Sequence, residues 1–139
     1  MLKILLVDDS DSLRFILKAF FKNVGTCDEA ANGQQAVELV RRSLDIDLYD
    51  VIFMDIMMPE VDGLDATRQI VEMLDAEAID YAERPKIVML TCLSGSKHML
   101  EAQYECGADS YITKPFEREV LFETLINLGL LPSPLDEGT

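Results

Sequence analysis

Val51-Ile52-Phe53-Met54-Asp55-Ile56-Met57-Met58-Pro59 carries the strongest structural signal in this 139-residue chain. Val51 to Met54 is a short apolar run with β-branched and aromatic members. It is bounded by Asp50 on one side and by Pro59 and Asp62-Gly63 on the other. Such a run predicts a central strand covered on both faces, the pattern of a parallel sheet. Asp55 stands where the strand stops, and Pro59 with Asp62-Gly63 then turns the chain. A carboxylate at the C-terminal end of a parallel strand faces the crevice where open α/β sheets place their ligands.

Upstream, Lys3 to Val7 is a second buried-strand candidate ending in Asp8-Asp9-Ser10, and Ser10 or Asp11 can cap the helix that follows. Leu13, Ile16, Leu17, Phe20, Phe21 and Val24 recur at three- and four-residue steps and give that helix an apolar face. Gly25 is placed to end it, and Arg14 is expected on its solvent side, near the acidic residues. Thr26 to Ala30 predicts a weak strand, Asn32-Gly33 a turn, and Ala36 to Val40 a short helix. Downstream, Gly63 opens a longer helix through Leu64, Thr67, Ile70, Val71 and Leu74. Periodicity sets no boundary within the polar stretch Asp75 to Arg84, which Pro85 closes.

Lys86 to Leu90 predicts a fourth strand ending at Thr91. A loop over Ser94 to Ser96 and a helix over Met99 to Cys106, stopped by Gly107, come next. Tyr111 to Thr113 is a short fifth strand before Lys114-Pro115, and Val120, Leu121, Leu125 and Leu128 mark the last helix. Residues 1–129 read as one domain and 130–139, with Pro132, Pro134 and Gly138, as a tail or the start of a linker. Five strand–helix repeats, (βα)5, predict an α/β fold: a doubly wound five-stranded parallel sheet with helices on both faces. All strand ends then share one rim, which gathers Asp8, Asp9, Asp55, Thr91 and Lys114.

The composition is that of a globular protein, 49% hydrophobic with a net charge of −14. So acidic a chain disfavours nucleic acid, whose affinity comes largely from Lys and Arg neutralising phosphates. Leu2 to Val7 is too short to span a membrane and lacks a basic leader, so a cytoplasmic location is expected. Cys27, Cys92 and Cys106 are odd in number and widely spaced, which predicts reduced thiols rather than a disulfide or metal framework. His98, the single histidine, is expected at the surface.

Three carboxylates converging on one rim repel each other. Two unit charges about 4 Å apart repel by roughly 4 kcal/mol at an effective dielectric near 20, against a typical domain stability of ~5–15 kcal/mol. A shared proton or a bound cation must compensate. Oxygen ligands without His or Cys suit a hard ion such as Mg²⁺ or Mn²⁺. An anion-binding lysine (Lys114), a hydroxyl (Thr91), a divalent ion and a carboxylate nucleophile are the parts needed for phosphoryl transfer onto Asp55.

Four motifs then resemble the receiver domain of two-component response regulators, in that family's order and spacing. They are Leu5-Leu6-Val7-Asp8-Asp9-Ser10, Met54-Asp55-Ile56-Met57-Met58-Pro59 with Asp62-Gly63, Val88-Met89-Leu90-Thr91, and Gly107-Ala108-Asp109-Ser110-Tyr111-Ile112-Thr113-Lys114-Pro115-Phe116. The chain is most similar to the stand-alone type related to the chemotaxis regulators. The resemblance implies a flavodoxin-like receiver fold with strand order 2-1-3-4-5. It implies a phosphorelay role, with Asp55 accepting a phosphoryl group from a phosphohistidine of a sensor histidine kinase or phosphotransfer protein. Asp9, Asp55 and the backbone carbonyl of Met57 would bind Mg²⁺, with Asp8 reaching it through water. Lys114 would pair with the phosphoryl oxygens, Thr91 would hydrogen-bond them, and Tyr111 would follow from an outward to an inward rotamer. The Lys114–Pro115 bond is expected to be cis, and Cys92 stands where the family has a small residue. Arg14 could meet the kinase's carrier domain.

Two further expectations concern signalling. Met57 and Leu93, two past Asp55 and two past Thr91, are apolar and cannot orient a water for hydrolysis of the aspartyl phosphate, so dephosphorylation is expected to be slow. Output, by partner binding or by homodimerisation, is expected through the face of the fourth helix, fifth strand and fifth helix, with Lys97, Glu101, Tyr104, Tyr111 and Glu117 to Glu123. Against a flavodoxin-like electron carrier stands the loop Asp8-Asp9-Ser10-Asp11, which would repel a flavin phosphate. Against a turnover phosphohydrolase stands the lack of a positioned general acid or base, so the chain is expected not to be an enzyme. A receiver module cut from a longer regulator with a DNA-binding or enzymatic output is the remaining alternative to a stand-alone receiver.

Overall fold

A computed structural model describes residues 1–56, 62–92 and 107–132. The chain runs β1 (Leu2–Val7), α1 (Asp11–Phe21), β2 (Gly25–Ala30), α2 (Gly33–Ser43), β3 (Val51–Asp55), α3 (Gly63–Ala76), a 3₁₀ turn (Tyr81–Glu83), β4 (Lys86–Cys92), β5 (Ser110–Lys114) and α4 (Arg118–Asn127). All four strand pairs are parallel, and the sheet order is β2-β1-β3-β4-β5. This is the doubly wound, flavodoxin-like arrangement, with β3 at its centre. The helix expected over Met99 to Cys106 lies outside the described residues, as do Met57, Leu93, His98 and residues 133–139.

Period-two alternation on the central strands splits the core in two. Leu5, Val7, Ile52 and Met54 point to one face and pack with Ala36, Val37 and Val40 of α2 and Leu64, Ile70 and Leu74 of α3. Ile4, Leu6, Val51 and Phe53 point to the other and pack with Leu17 and Phe21 of α1 and Leu121 and Leu125 of α4. Every residue of β3 is buried. Phe21 stacks on Phe53 with ring centroids 5.0 Å apart, fixing α1 over the centre of the sheet.

The helix starts follow their caps. The Ser10 hydroxyl accepts from the Leu13 N–H, Asn32 from Gln35 and Asp62 from Asp65. One boundary differs from the sequence reading, and one that periodicity left open is fixed by the structure. Gly25 does not end α1, which stops at Phe21; it opens β2, where a Cβ would lie 2.3 Å from the Leu2 carbonyl oxygen. The end of α3 falls at Ala76, after which Ala78 takes φ 55° and breaks the helical path. Arg84 pins the segment that follows, through Asp75 at 2.7 Å and the Ile79 carbonyl at 2.8 Å. Leu130 and Leu131, just beyond Gly129, pack partly against the core on the α1–α4 face.

Cys27 on β2 is free and half-buried; burial, with Glu29 and Asp28 adding to it against Lys18, pushes its thiol up to about 11. Among the described residues no helix is long and apolar enough to cross a membrane. Phe53→Ala should cost about 3–5 kcal/mol of stability in urea denaturation. Phe15→Ala, at a side chain that is 74% exposed, should change it by no more than about 0.5 kcal/mol.

Candidate functional site

The C-terminal ends of β1 and β3 lie side by side, with Val7 paired to Met54. The next residue of each strand, Asp8 and Asp55, therefore emerges at the same edge of the sheet. Both are buried, at 1% and 5% exposure, while Asp9 is exposed. One carboxylate oxygen from each of Asp8, Asp9 and Asp55 lies within 4.8 Å of the others.

Lys114 ends β5 on the far side of β4 and returns its side chain across the rim. Its Nζ donates to Asp8 Oδ2 and to Asp55 Oδ1, both at 3.2 Å. Partial burial alone would lower the lysine's pKa; the charges of Asp55 and Asp8 outweigh it, and the net shift is upward. The ammonium is thus held charged between two buried carboxylates. The Lys114–Pro115 peptide bond is cis.

The Asp8 carboxylate also accepts from the Ser10 N–H at 2.8 Å, and the Asp8 N–H donates to the Ala30 carbonyl at 3.1 Å. Thr91 is buried on β4 in register with Thr113, and Tyr111 is half-buried on β5 opposite Met89. Of the residues singled out from sequence, Asp8, Asp9, Asp55 and Lys114 come together directly, while Thr91 and Tyr111 lie on the adjoining strands. Met57, Leu93 and the side chain of Cys92 lie outside the described residues.

The roles of two residues escaped the sequence reading. Arg14 is not on the solvent face of α1: its side chain is only 11% exposed and folds back over the helix start, where Nη1 donates to the Asp8 carbonyl at 2.6 Å. A guanidinium one turn from an acidic loop is a signal that could have suggested this. Gly63 begins α3 against the end of β3. A Cβ there would lie 2.1 Å from the Asp55 carbonyl oxygen, and its N–H donates to the Ile56 carbonyl at 3.0 Å. Here glycine is required by space rather than by a left-handed φ.

The donor set fits a hard divalent cation. All three side chains offer oxygen, two are preorganised by burial, and the exposed Asp9 leaves a wet side on which Mg²⁺ can keep its waters. One ammonium against three carboxylates leaves negative charge for such an ion to balance.

A family model describing the response regulator receiver domain matches residues 4–126. The chain belongs to that family. It is 37% identical over 124 residues to the chemotaxis protein CheY of Halobacterium salinarum, covering 88% of this chain and 92% of that one. It is 36% identical over 121 residues to the transcriptional regulatory protein SrrA of Staphylococcus aureus, covering 86% of this chain but 44% of SrrA, so it spans less than half of that regulator. Among solved structures it superposes on the receiver domain of the histidine kinase CKI1 from Arabidopsis thaliana, complexed with Mg²⁺ and BeF₃⁻. The TM-score is 0.76 with 25% identity over 88% of each chain. Receiver domains are signalling modules of two-component systems rather than turnover enzymes.

Lys114→Met should destabilise this receiver in EDTA by about 3–5 kcal/mol, since it strands two buried carboxylates. Urea denaturation of the variant beside wild type measures it, and an unchanged midpoint would show that Lys114 carries none of that charge.

Proposed function

We propose that this chain is the phospho-acceptor of a two-component phosphorelay and takes a phosphoryl group onto Asp55 in a Mg²⁺-dependent reaction. The observation that carries the reading is the Lys114 ammonium held 3.2 Å from both Asp8 and Asp55 at the buried ends of adjacent strands. A carboxylate nucleophile with a fixed cation beside it is arranged for transfer to an anion. The complex of the CKI1 receiver with Mg²⁺ and BeF₃⁻ supports the same reading.

In the proposed reaction an Asp55 carboxylate oxygen attacks phosphorus in line, and the phosphorus–nitrogen bond to the donor histidine breaks. The imidazole leaves with the bonding pair and is protonated. Asp9, Asp55 and the Met57 carbonyl would hold Mg²⁺ or Mn²⁺, with Asp8 reaching it through water. When bound, the ion supplies positive charge against the phosphoryl oxygens. Lys114 shifts from the carboxylates toward the new phosphoryl group, and Thr91 donates its hydroxyl to it. The donor, a sensor kinase or phosphotransfer protein, docks over the groove lined by Leu13, Ile16, Phe20, Pro115 and Phe116. Lys114 lines the same groove, so a histidine presented there lies beside the site.

The signal leaves through Tyr111 and the β5–α4 surface with Glu117 to Glu123, together with Lys97, Glu101 and Tyr104, toward an output partner or a second copy. The receiver occupies residues 1–129, with 130–139 as a tail or linker. The SrrA match leaves room for a longer regulator with a further output domain, the second reading.

Intact mass after incubation with Mg²⁺ and acetyl phosphate tests the proposal. Wild type should gain one phosphoryl group, EDTA should abolish the gain, and Asp55→Asn should show none; a gain in the variant would move the site elsewhere. Met57→Asn combined with Leu93→Glu should shorten the phosphoryl half-life severalfold, because an amide and a carboxylate can orient a water where two apolar side chains cannot. An unchanged half-life would remove them from control of hydrolysis.

A further inference from the structure

Arg14 is placed where helix energetics disfavour it. It lies in the first turns of α1, beyond the Ser10 cap, where the helix dipole favours anions over cations. Its interactions explain the position. Nη1 donates to the Asp8 carbonyl at 2.6 Å, Nε to Glu29 Oε1 at 3.2 Å, and Nη2 to the carboxylate of Asp11. Glu29 is also met by Lys18 at 3.4 Å, which anchors it at the end of β2. The guanidinium therefore ties three pieces of backbone together: the end of β1, the end of β2 and the start of α1.

The contact to Asp8 is the consequential one. That carbonyl belongs to the peptide joining Asp8 to Asp9, so holding it fixes the plane from which the Asp9 chain departs. The Asp8 side chain is already fixed by the Ser10 N–H and by Lys114. Asp9 is exposed, and its direction depends on the backbone beneath it. Groups that orient metal ligands from behind govern affinity without touching the ion.

We propose that Arg14 is a positioning residue for the cation site, holding the Asp8–Asp9 peptide so that the Asp9 carboxylate stays beside those of Asp8 and Asp55. This rests on the Mg²⁺ reading above and adds to it a residue that does not bind the ion. The proposal has a distinctive sign. If Arg14 were merely a nearby positive charge, its removal would make the site more negative and tighten Mg²⁺ binding. As a positioning residue, its removal weakens binding despite the lost repulsion.

Calorimetric titration of Mg²⁺ at fixed ionic strength separates the two, using wild type, Arg14→Ala, Arg14→Gln and Asp11→Asn. Thermal melting in EDTA shows which variants are folded. Arg14→Ala should bind about tenfold more weakly. Arg14→Gln has lost the charge but keeps an N–H donor able to reach a carbonyl, and should lose less. Asp11→Asn, which takes the charge from the most exposed partner of Arg14 and leaves the contact to the Asp8 carbonyl in place, should stay close to wild type. If Arg14→Ala does not fold, Arg14→Gln decides: binding as tight as wild type or tighter overturns the proposal. Wild type that binds no Mg²⁺ would overturn the cation reading itself, and the role of Arg14 with it. Mg²⁺ binding by wild type with unweakened binding by the folded Arg14 variants would overturn the role alone.

Discussion

Like-charge crowding at the end of the sheet is the constraint around which this molecule is built. Parallel pairing of β1 with β3 brings Asp8 and Asp55 to the same edge, and the turn after β1 adds Asp9. One ammonium, reaching in from β5, is bonded to two of the three carboxylates. The surroundings are correspondingly rigid: an all-buried β3, α1 clamped over the sheet by Phe21 on Phe53, and Gly63 allowing α3 to abut the Asp55 carbonyl. A softer scaffold could let the charges move apart and relieve the repulsion. This one holds them together, which concentrates negative charge at the rim for a cation to balance.

That arrangement also suggests how a small chemical change could be felt at a distance. Lys114 closes β5, and Tyr111 lies three residues earlier on the same strand, opposite Met89 and two residues from Thr91 across the ladder. In the proposed reaction the new phosphoryl group takes over the ammonium that Asp8 and Asp55 now share. Among the described residues, the strand carrying that lysine is an edge strand paired only with β4. Edge position leaves β5 freer to adjust than β3, where every residue is buried on both sides.

Much of this was legible in the chain itself, for identifiable reasons. Strands β1 and β3 are continuous apolar runs because both their faces are covered, and each is punctuated by a carboxylate that a buried strand cannot otherwise hold. Lys114 was legible through its place at the end of the fifth strand, which puts it on the same rim as the carboxylates. What could not be read depends on contacts between segments distant in sequence. Arg14 looks like a surface residue until β2 brings Glu29 beside it. Gly25 looks like a helix stop until the Leu2 carbonyl is placed against it. The end of α3 looks open until Ala78 turns the chain and Arg84, eight residues beyond the helix, ties the next segment back to Asp75. In each case local periodicity was silent because a tertiary partner made the choice.

Thermal unfolding of wild type and Asp9→Asn, each in EDTA and in excess Mg²⁺, tests the crowding account most directly. Asp9→Asn removes one charge while leaving both Lys114 bridges in place. The account predicts that the variant melts above wild type in EDTA, and that Mg²⁺ raises wild type strongly and the variant little, so that their order reverses or the gap closes. A wild type indifferent to Mg²⁺, or a variant no more stable than wild type in EDTA, would contradict it.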